Sequence, residues 1–352
     1  MSRTHPAFVR IHKQCRTLVG ASLLVFSVCG GVLANAQCAS DSSSPTWPTV
    51  RLNVVLSNQL FSVANRTDVV GALNLWIEVL SCTTKLNFKS TVDVLATQSA
   101  IRARVYEKTV DILVLDNVEF LDLSDDGLVE GIGVSSYDGR PMAFPYLLLV
   151  SQEINSLAQL RDRSSVFYMH TGSAASVAWT VSLLSENHYG HVDDFFASFE
   201  SSTKATNCIL PLFFGKIQAC VVDSRDWETI KELNPQLGNK LKILAQSAPV
   251  LDGITAFPRT SMPYRERIIA SIFEMHKQPL GDQVLKALRS GPIIPYRPEY
   301  LDDTRQFWKR YERTLTAAEL KAWKETLQPG RPHVSHNSTG ALRPVSETAG
   351  KE

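Results

Sequence analysis

Apolar positions along the chain recur with two alternating periods. Short apolar runs at residues 52–56, 86–92 and 111–115 read as strands. Between the first two, a segment opening at Asp68 places Val69, Leu73, Trp76, Ile77 and Leu80 on one helical face. Residues 98–108 predict a second helix, and the compact run Asp111-Ile-Leu-Val-Leu115 has the character of a strand buried on both faces in a parallel sheet. An extended apolar run at 145–150 interrupts this series in mid-chain. A new series follows it: helix 156–161, strand 166–169, helix 174–186, strand 219–222 and strand 241–245. The rest reads as mostly helical. One helix opens near Ser261 and Pro263 and carries Ile268, Ile269, Ile272 and Phe273. Two more cover 279–289 and 300–313, and Thr316 with Glu319 forms a capping box for a last one. Strands that alternate with helices predict an α/β layered fold. Two such series sharing one helical ending predict an inserted domain: lobe 1 from 49–143 and 250–328, lobe 2 from 150–243, joined by two extended crossings. Ligands in such folds sit beyond the carboxyl ends of strands, where loops of both lobes meet.

The N-terminus departs from this pattern. Arg3, Arg10, Lys13 and Arg16 precede an apolar run from Leu18 to Leu33, which ends in Ala34-Asn35-Ala36. Basic, apolar and Ala-x-Ala in that order predict a cleavable secretory signal over residues 1–36 and an exported, periplasmic protein. Serines and glycines interrupt the run, and it is shorter than the ~20 residues of a spanning helix, which disfavours a membrane anchor. The formal net charge of +1 includes the four basic residues of this segment, so the chain beyond it carries −3. Its Lys and Arg are scattered among acids, without the concentrated basic face that nucleic acid requires. From Pro329 the chain turns to Gly, Pro, Ser and Thr, and residues 329–352 read as a disordered tail. Of the six cysteines, Cys15 and Cys29 lie in the signal. Cys38, Cys82, Cys208 and Cys220 allow three pairings in an exported chain. Cys208 with Cys220 closes a short loop at little cost, and Cys38 would then pair with Cys82; a reduced, buried quartet is the alternative. No Cys-x-x-Cys spacing suggests a zinc site.

Taken together, several segments resemble the phosphate/phosphite/phosphonate type of ABC-transporter substrate-binding protein, a type 2 periplasmic binding fold with two α/β lobes, a central cleft and two hinge crossings. They are Thr109-Val-Asp-Ile-Leu-Val-Leu115, Pro145-Tyr-Leu-Leu-Leu-Val150, Ser156-Leu-Ala-Gln-Leu-Arg161, His170-Thr-Gly-Ser-Ala-Ala-Ser176 and Leu210-Pro-Leu-Phe-Phe-Gly-Lys-Ile-Gln-Ala-Cys-Val-Val222. Glu232-Leu-Asn-Pro-Gln-Leu237 looks like a signature of one branch. The resemblance implies that Thr171, Gly172 and Ser173, with the N–H groups of Ala174 and Ala175, hold an oxyanion at a helix N-terminus. Unpaired N–H groups and the macrodipole favour negative charge there; an ordinary serine cap is the other reading. Asn58, Asp116 and Asn117 occupy the lobe 1 loops that face the cleft in this family, although such residues are also common in turns. Tyr146 lies at a crossing strand, as cleft lining, hinge or core. The pattern departs at Ser201-Ser202-Thr203-Lys204, where phosphonate transporters show a Ser-His-Asp-like turn. Lys204 could supply positive charge or simply be solvated, and Asp223 is the remaining candidate acid for ligand binding in the second lobe.

Other chemistries find less support. His188, His191, Asp193 and Asp194 cluster at a helix end, where histidine is favourable without a metal. There is no phosphate loop, no zincin motif and no nucleophile elbow. Ser173 with His170 lacks a third member for nucleophilic catalysis. The expectation is reversible binding by a monomer, without catalytic residues, metal or cofactor. A small anionic ligand and an ABC permease are the expected partners. The alternative is a ligand-sensing receptor that docks to a membrane signalling protein, since ligand-driven closure would serve both.

Overall fold

The computed structural model describes residues 47–61, 66–162, 165–169, 175–202 and 204–327. Its first series begins with β1 (Thr49–Ser57), α1 (Arg66–Thr84), β2 (Asn87–Leu95), α2 (Gln98–Tyr106) and β3 (Ile112–Asp116). The five final residues of β1 before Ser57 and most of β3 are buried on both faces, as their mainly apolar runs require, with Asn53 the buried polar exception. Residues 116–117, expected in a loop, instead open α3 (Asn117–Asp125), which leads to β4 (Val129–Tyr137).

A hairpin strand, β5 (Arg140–Pro141), precedes the first crossing, β6 (Ala143–Phe144). The second series then runs β7 (Tyr146–Ser151), β8 (Ser165–Met169), α4 (Ala175–Glu186), α5 (Val192–Phe195), β9 (Ser198–Ser202), α6 (Thr206–Phe213) and β10 (Ala219–Asp223). It closes with α7 (Ser224–Leu233), α8 (Gln236–Lys240) and β11 (Leu241–Gln246). The segment expected to be a helix at 156–161 is a short 3-10 turn, Leu157–Leu160.

The return crossing is β12 (Val250–Leu251), which pairs antiparallel with β6. It continues into β13 (Gly253–Pro258), α9 (Arg265–Glu274), α10 (Pro279–Ala287), β14 (Ile293–Pro295), α11 (Asp302–Thr314) and α12 (Ala317–Leu327). The C-terminal part is mostly helical, as expected, but it also supplies two strands that its pattern did not predict, β13 in the interior of the first sheet and β14 at its edge.

Two sheets result. The first has the order β14-β4-β13-β3-β1-β2, and the second β11-β7-β10-β8-β9. Both share one design. In the first, β2, β1 and β3 are parallel and β13 is antiparallel to β3. In the second, β9, β8 and β10 are parallel and β7 is antiparallel to β10. In each case the antiparallel strand is the one by which the chain arrives from the other lobe. This is the type 2 periplasmic-binding architecture of two α/β lobes joined by paired crossings. The repetition lies in strand order, and so escapes a search for repeated sequence.

The crossings are tied to the lobes by buried polar groups. The Asn117 side-chain amide donates to the Leu251 carbonyl at 2.8 Å, while its oxygen accepts from the Trp308 indole at 2.8 Å. The Leu251 N–H donates to Thr304 Oγ1 at 2.9 Å. Helix α11 packs on α4, and Phe307, Trp308 and Tyr311 belong to a core that also takes in Leu113, Leu115, Trp179 and Val221. The outer side of the second sheet has its own core, in which Cys208 of α6 and Cys220 of β10 form a disulfide with Cα atoms 5.7 Å apart. That pairing is the one expected from their spacing. Cys82 lies partly buried in α1, and its expected partner Cys38 is outside the described residues.

Candidate functional site

Several of the parallel strands end on polar residues at the same edge of their sheets. Strand β1 ends at Ser57, β3 at Asp116, β10 at Asp223, and β8 runs out at Met169 just before the segment that leads to α4. Asp116 caps α3 in a reciprocal box. Its Oδ1 accepts the Glu119 N–H at 2.8 Å, and Glu119 Oε2 accepts the Asp116 N–H at 3.1 Å. The Ser57 hydroxyl donates to the other Glu119 oxygen at 2.8 Å. Glu119 is thereby satisfied on both oxygens. Asp116, only 3% exposed, keeps Oδ2 enclosed and without a hydrogen-bond partner among the described residues.

The second lobe repeats the device. Asp223 caps α7, its Oδ1 accepting the Asp226 N–H at 2.8 Å. The strands entering from the opposite lobe begin directly across from these two caps: Gly253 of β13 is in register with Asp116, and Tyr146 of β7 with Asp223. Asp252, on the crossing beside Gly253, lies near both. Arg225 of α7 donates to Asp252 at 3.3 Å and stacks over the Phe144 ring at 4.5 Å. Arg289, just past α10 in the first lobe, donates to Asp226 of the second at 2.7 Å.

These surroundings shift the titration of the caps. Burial disfavours the charged form of Asp116 and, with the charge of Asp252 added, pushes it up to about 7 against two opposing backbone hydrogen bonds. Glu119 is raised well above the ordinary range by burial and by the charge of Asp116. Burial and then the Asp226 carboxylate raise Asp223 to about 6, opposed by Arg225. The carboxyl edges of the two sheets thus converge on one polar zone in which burial and neighbouring carboxylates raise the pKa of the buried acids.

The family model for the phosphonate periplasmic substrate-binding protein of ABC transporters matches residues 62–301, well over half of the chain. The chain belongs to this family. As a periplasmic substrate-binding protein it carries a small ligand to an ABC permease; the comparisons do not favour the signalling-receptor alternative. Among solved structures, XAC2383 from Xanthomonas citri bound to chloride is 15% identical, with a TM-score of 0.57 over 75% of this chain and 98% of that one. A binding-protein component of an ABC phosphonate transporter from Pseudomonas aeruginosa is 16% identical, with a TM-score of 0.54 over 80% and 96%. PhnD1 from Prochlorococcus marinus, in complex with methylphosphonate, is 14% identical, with a TM-score of 0.54 over 74% and 97%. At these identities the likeness speaks for the fold. No curated protein matches the chain.

Against this binding-protein frame, the residues singled out in the sequence divide. Asp116 and Asp223 come together around Asp252, and Tyr146 stands across from Asp223, its N–H donating to Ser247 Oγ at 2.8 Å. Asn58 is exposed just beyond β1, and Lys204 is exposed ahead of α6. Asn117 is buried, with its side chain engaged by the crossing and by Trp308. Thr171, Gly172, Ser173 and Ala174 lie outside the described residues, between β8 and α4. His191 caps α5, its Nδ1 accepting the Asp193 N–H at 3.4 Å. Sequence reasoning missed Glu119, Arg225, Asp226, Asp252 and Arg289. The Asp-x-x-Glu and Asp-x-x-Asp cap spacings at 116–119 and 223–226 were a usable signal for Glu119 and Asp226.

Proposed function

We propose that this protein binds a small oxyanion, phosphonate-like in character, in the cleft between a lobe of residues 49–143 and 250–328 and a lobe of residues 150–243. One observation carries the reading: Asp116 and Asp223 cap helices at the carboxyl edges of different sheets, yet both feel the charge of Asp252. Ligands in open α/β sheets gather beyond such edges. In this reading Thr171, Gly172 and Ser173, with the first N–H groups of α4 from Ala174 and Ala175, take the anionic end. Asn58, Asp116 and Asn117 contribute from the first lobe, Asn117 by fixing the crossing on which Asp252 stands. Tyr146 lines the second side beside Asp223, and Lys204 with Asp223 tunes ligand choice. Acids held near neutrality suit this role, because a protonated carboxyl donates to an oxyanion where a carboxylate would repel it.

The binding is reversible and involves no chemical step. Residues 1–36 act as a cleaved export signal, the mature chain works as a monomer, and the ligand passes to an ABC permease. A thermal-shift screen of the mature protein against phosphate, phosphite, phosphonates, sulfonates and carboxylates tests the assignment. Stabilisation by one or more phosphorus oxyanions is expected. Stabilisation only by cations or neutral sugars would overturn it.

A further inference from the structure

A cavity of about 100 Å³ lies within the first lobe, between the sheet and the layer formed by α1, α9 and α10. Its walls on the helix side are apolar: Leu73 and Trp76 from α1, Ile272 from α9, Met275 just beyond it, and Leu285 with Leu288 at the end of α10. Protein interiors are close-packed, with few voids larger than a water molecule. Apolar cavities of comparable size, ~150 Å³, stay dry and accept a benzene ring. Thr255 of β13 is the polar side chain on the sheet side, and the helix side favours an apolar guest.

The mouth is different. It is formed by Asp252, Arg289, Ser290 and Ser135, together with Gly253 and Leu60. Asp252 and Arg289 are the residues that pair with Arg225 and Asp226 of the opposite lobe. Leu60 follows the carboxyl end of β1, and Gly253 stands opposite Asp116 at the carboxyl end of β3. The cavity therefore opens at the sheet edge where the cleft lies and runs from there into the helix layer. Arg289 also holds a left-handed backbone, φ +55°, just past the end of α10.

We propose that this cavity is a side pocket of the cleft that takes an apolar substituent of the ligand, making the preferred class organophosphonates with a short alkyl chain or an aryl group, ahead of inorganic phosphate and methylphosphonate. The inference rests on the oxyanion reading above and narrows it. The oxyanion stays in the cleft, and its carbon substituent passes between Asp252 and Arg289 to lie against Trp76 and Leu285.

Calorimetric titration of the mature wild-type chain with inorganic phosphate and with methyl-, propyl-, butyl- and phenylphosphonate tests it. Each methylene buried in the pocket tightens binding about fourfold, the equivalent of ~0.8 kcal/mol. Butylphosphonate is accordingly expected to bind at least about tenfold tighter than methylphosphonate. Leu288→Trp, which fills the pocket from its rim, should erase that ratio; should the variant not fold, the wild-type series still decides. Equal or weaker binding of the butyl compound, or binding of phosphate alone, would overturn the side pocket and leave the oxyanion reading intact. Absence of binding by every oxyanion in the series would overturn both.

Discussion

Asp116 shows how far a residue's role can be read before its surroundings are known. The spacing Asp116-Asn-Val-Glu119 after an apolar run signals a capping box, and the structure contains one. The unpartnered Oδ2, the burial and the nearby Asp252 were not legible, because they depend on a crossing strand that arrives from 136 residues further along the chain. They have a measurable consequence. Asp116 titrates at about 7 in the folded protein, against 3.8 ordinarily. The folded chain therefore binds more protons than the unfolded one between those values. This contribution to stability is complete below pH ~4 and is lost as pH rises through about 7. Urea unfolding from pH 5 to 8 should show stability falling by up to about 1.4 kcal/mol per pH unit for such a group. Asp116→Asn keeps the cap acceptor and should flatten that slope; an unchanged slope would contradict the assignment. Asn117 illustrates the opposite outcome, a turn-type residue whose side chain is wholly engaged in structure. Asn117→Ala strands the buried Trp308 indole N–H and the Leu251 carbonyl. It should cost roughly 2–5 kcal/mol in chemical unfolding, at about 1–3 per unsatisfied group.

Among the elements, those with a clean apolar period were legible, and β1, β3, β7, β8, β10 and α1 fall within a few residues of their expected places. Strand β4 was missed because glycines break its pattern, and the structure shows why they are there. A Cβ on Gly131 would lie 2.6 Å from the Tyr296 ring, and one on Gly133 would lie 2.5 Å from the Ile293 side chain. The close approach of β14 and its flank thus requires residues that weaken the strand signal. Strand β13 was missed because its place beside β3 follows from the crossing, which local propensity does not encode. The Cys208–Cys220 disulfide joins α6 to a central strand inside the outer core of the second sheet. Replacing both cysteines by alanine should lower unfolding free energy by roughly 2–4 kcal/mol, and an unchanged urea midpoint would argue against any contribution. Helix α7 meets the first lobe through Arg225 with Asp252 and Asp226 with Arg289. Arg289 and Asp252 are partly exposed, so each pair should shift the open–closed balance by only about two- to fivefold. Small-angle scattering of the ligand-free Arg225→Ala/Arg289→Ala protein should report a larger mean radius of gyration than wild type. An identical radius would show that the pairs do not hold the lobes.

For the molecule as a whole, the order of elements already implied two α/β lobes, and the sheets add a principle of construction. Each lobe accepts, as its antiparallel strand, the segment arriving from the other, and that strand begins opposite an aspartate cap. The crossings, the caps and the carboxyl edges therefore meet in one place, the zone proposed here to bind the ligand. Helix α11 reinforces the arrangement by packing Phe307 and Trp308 into the core shared with α4. The sequence could not show this convergence, since residues 116, 223, 252 and 289 are brought together only by the double crossing. The central claim is that this zone binds an oxyanion. Its most direct measurement is isothermal titration of the mature chain with methylphosphonate and phosphate. The account predicts saturable one-to-one binding to at least one of them, weakened at least about tenfold by Ser173→Ala, as expected for loss of a charged hydrogen bond of ~1.5–3 kcal/mol. Absence of any heat or stabilisation with either anion, alongside tight binding of a neutral or cationic solute, would contradict it.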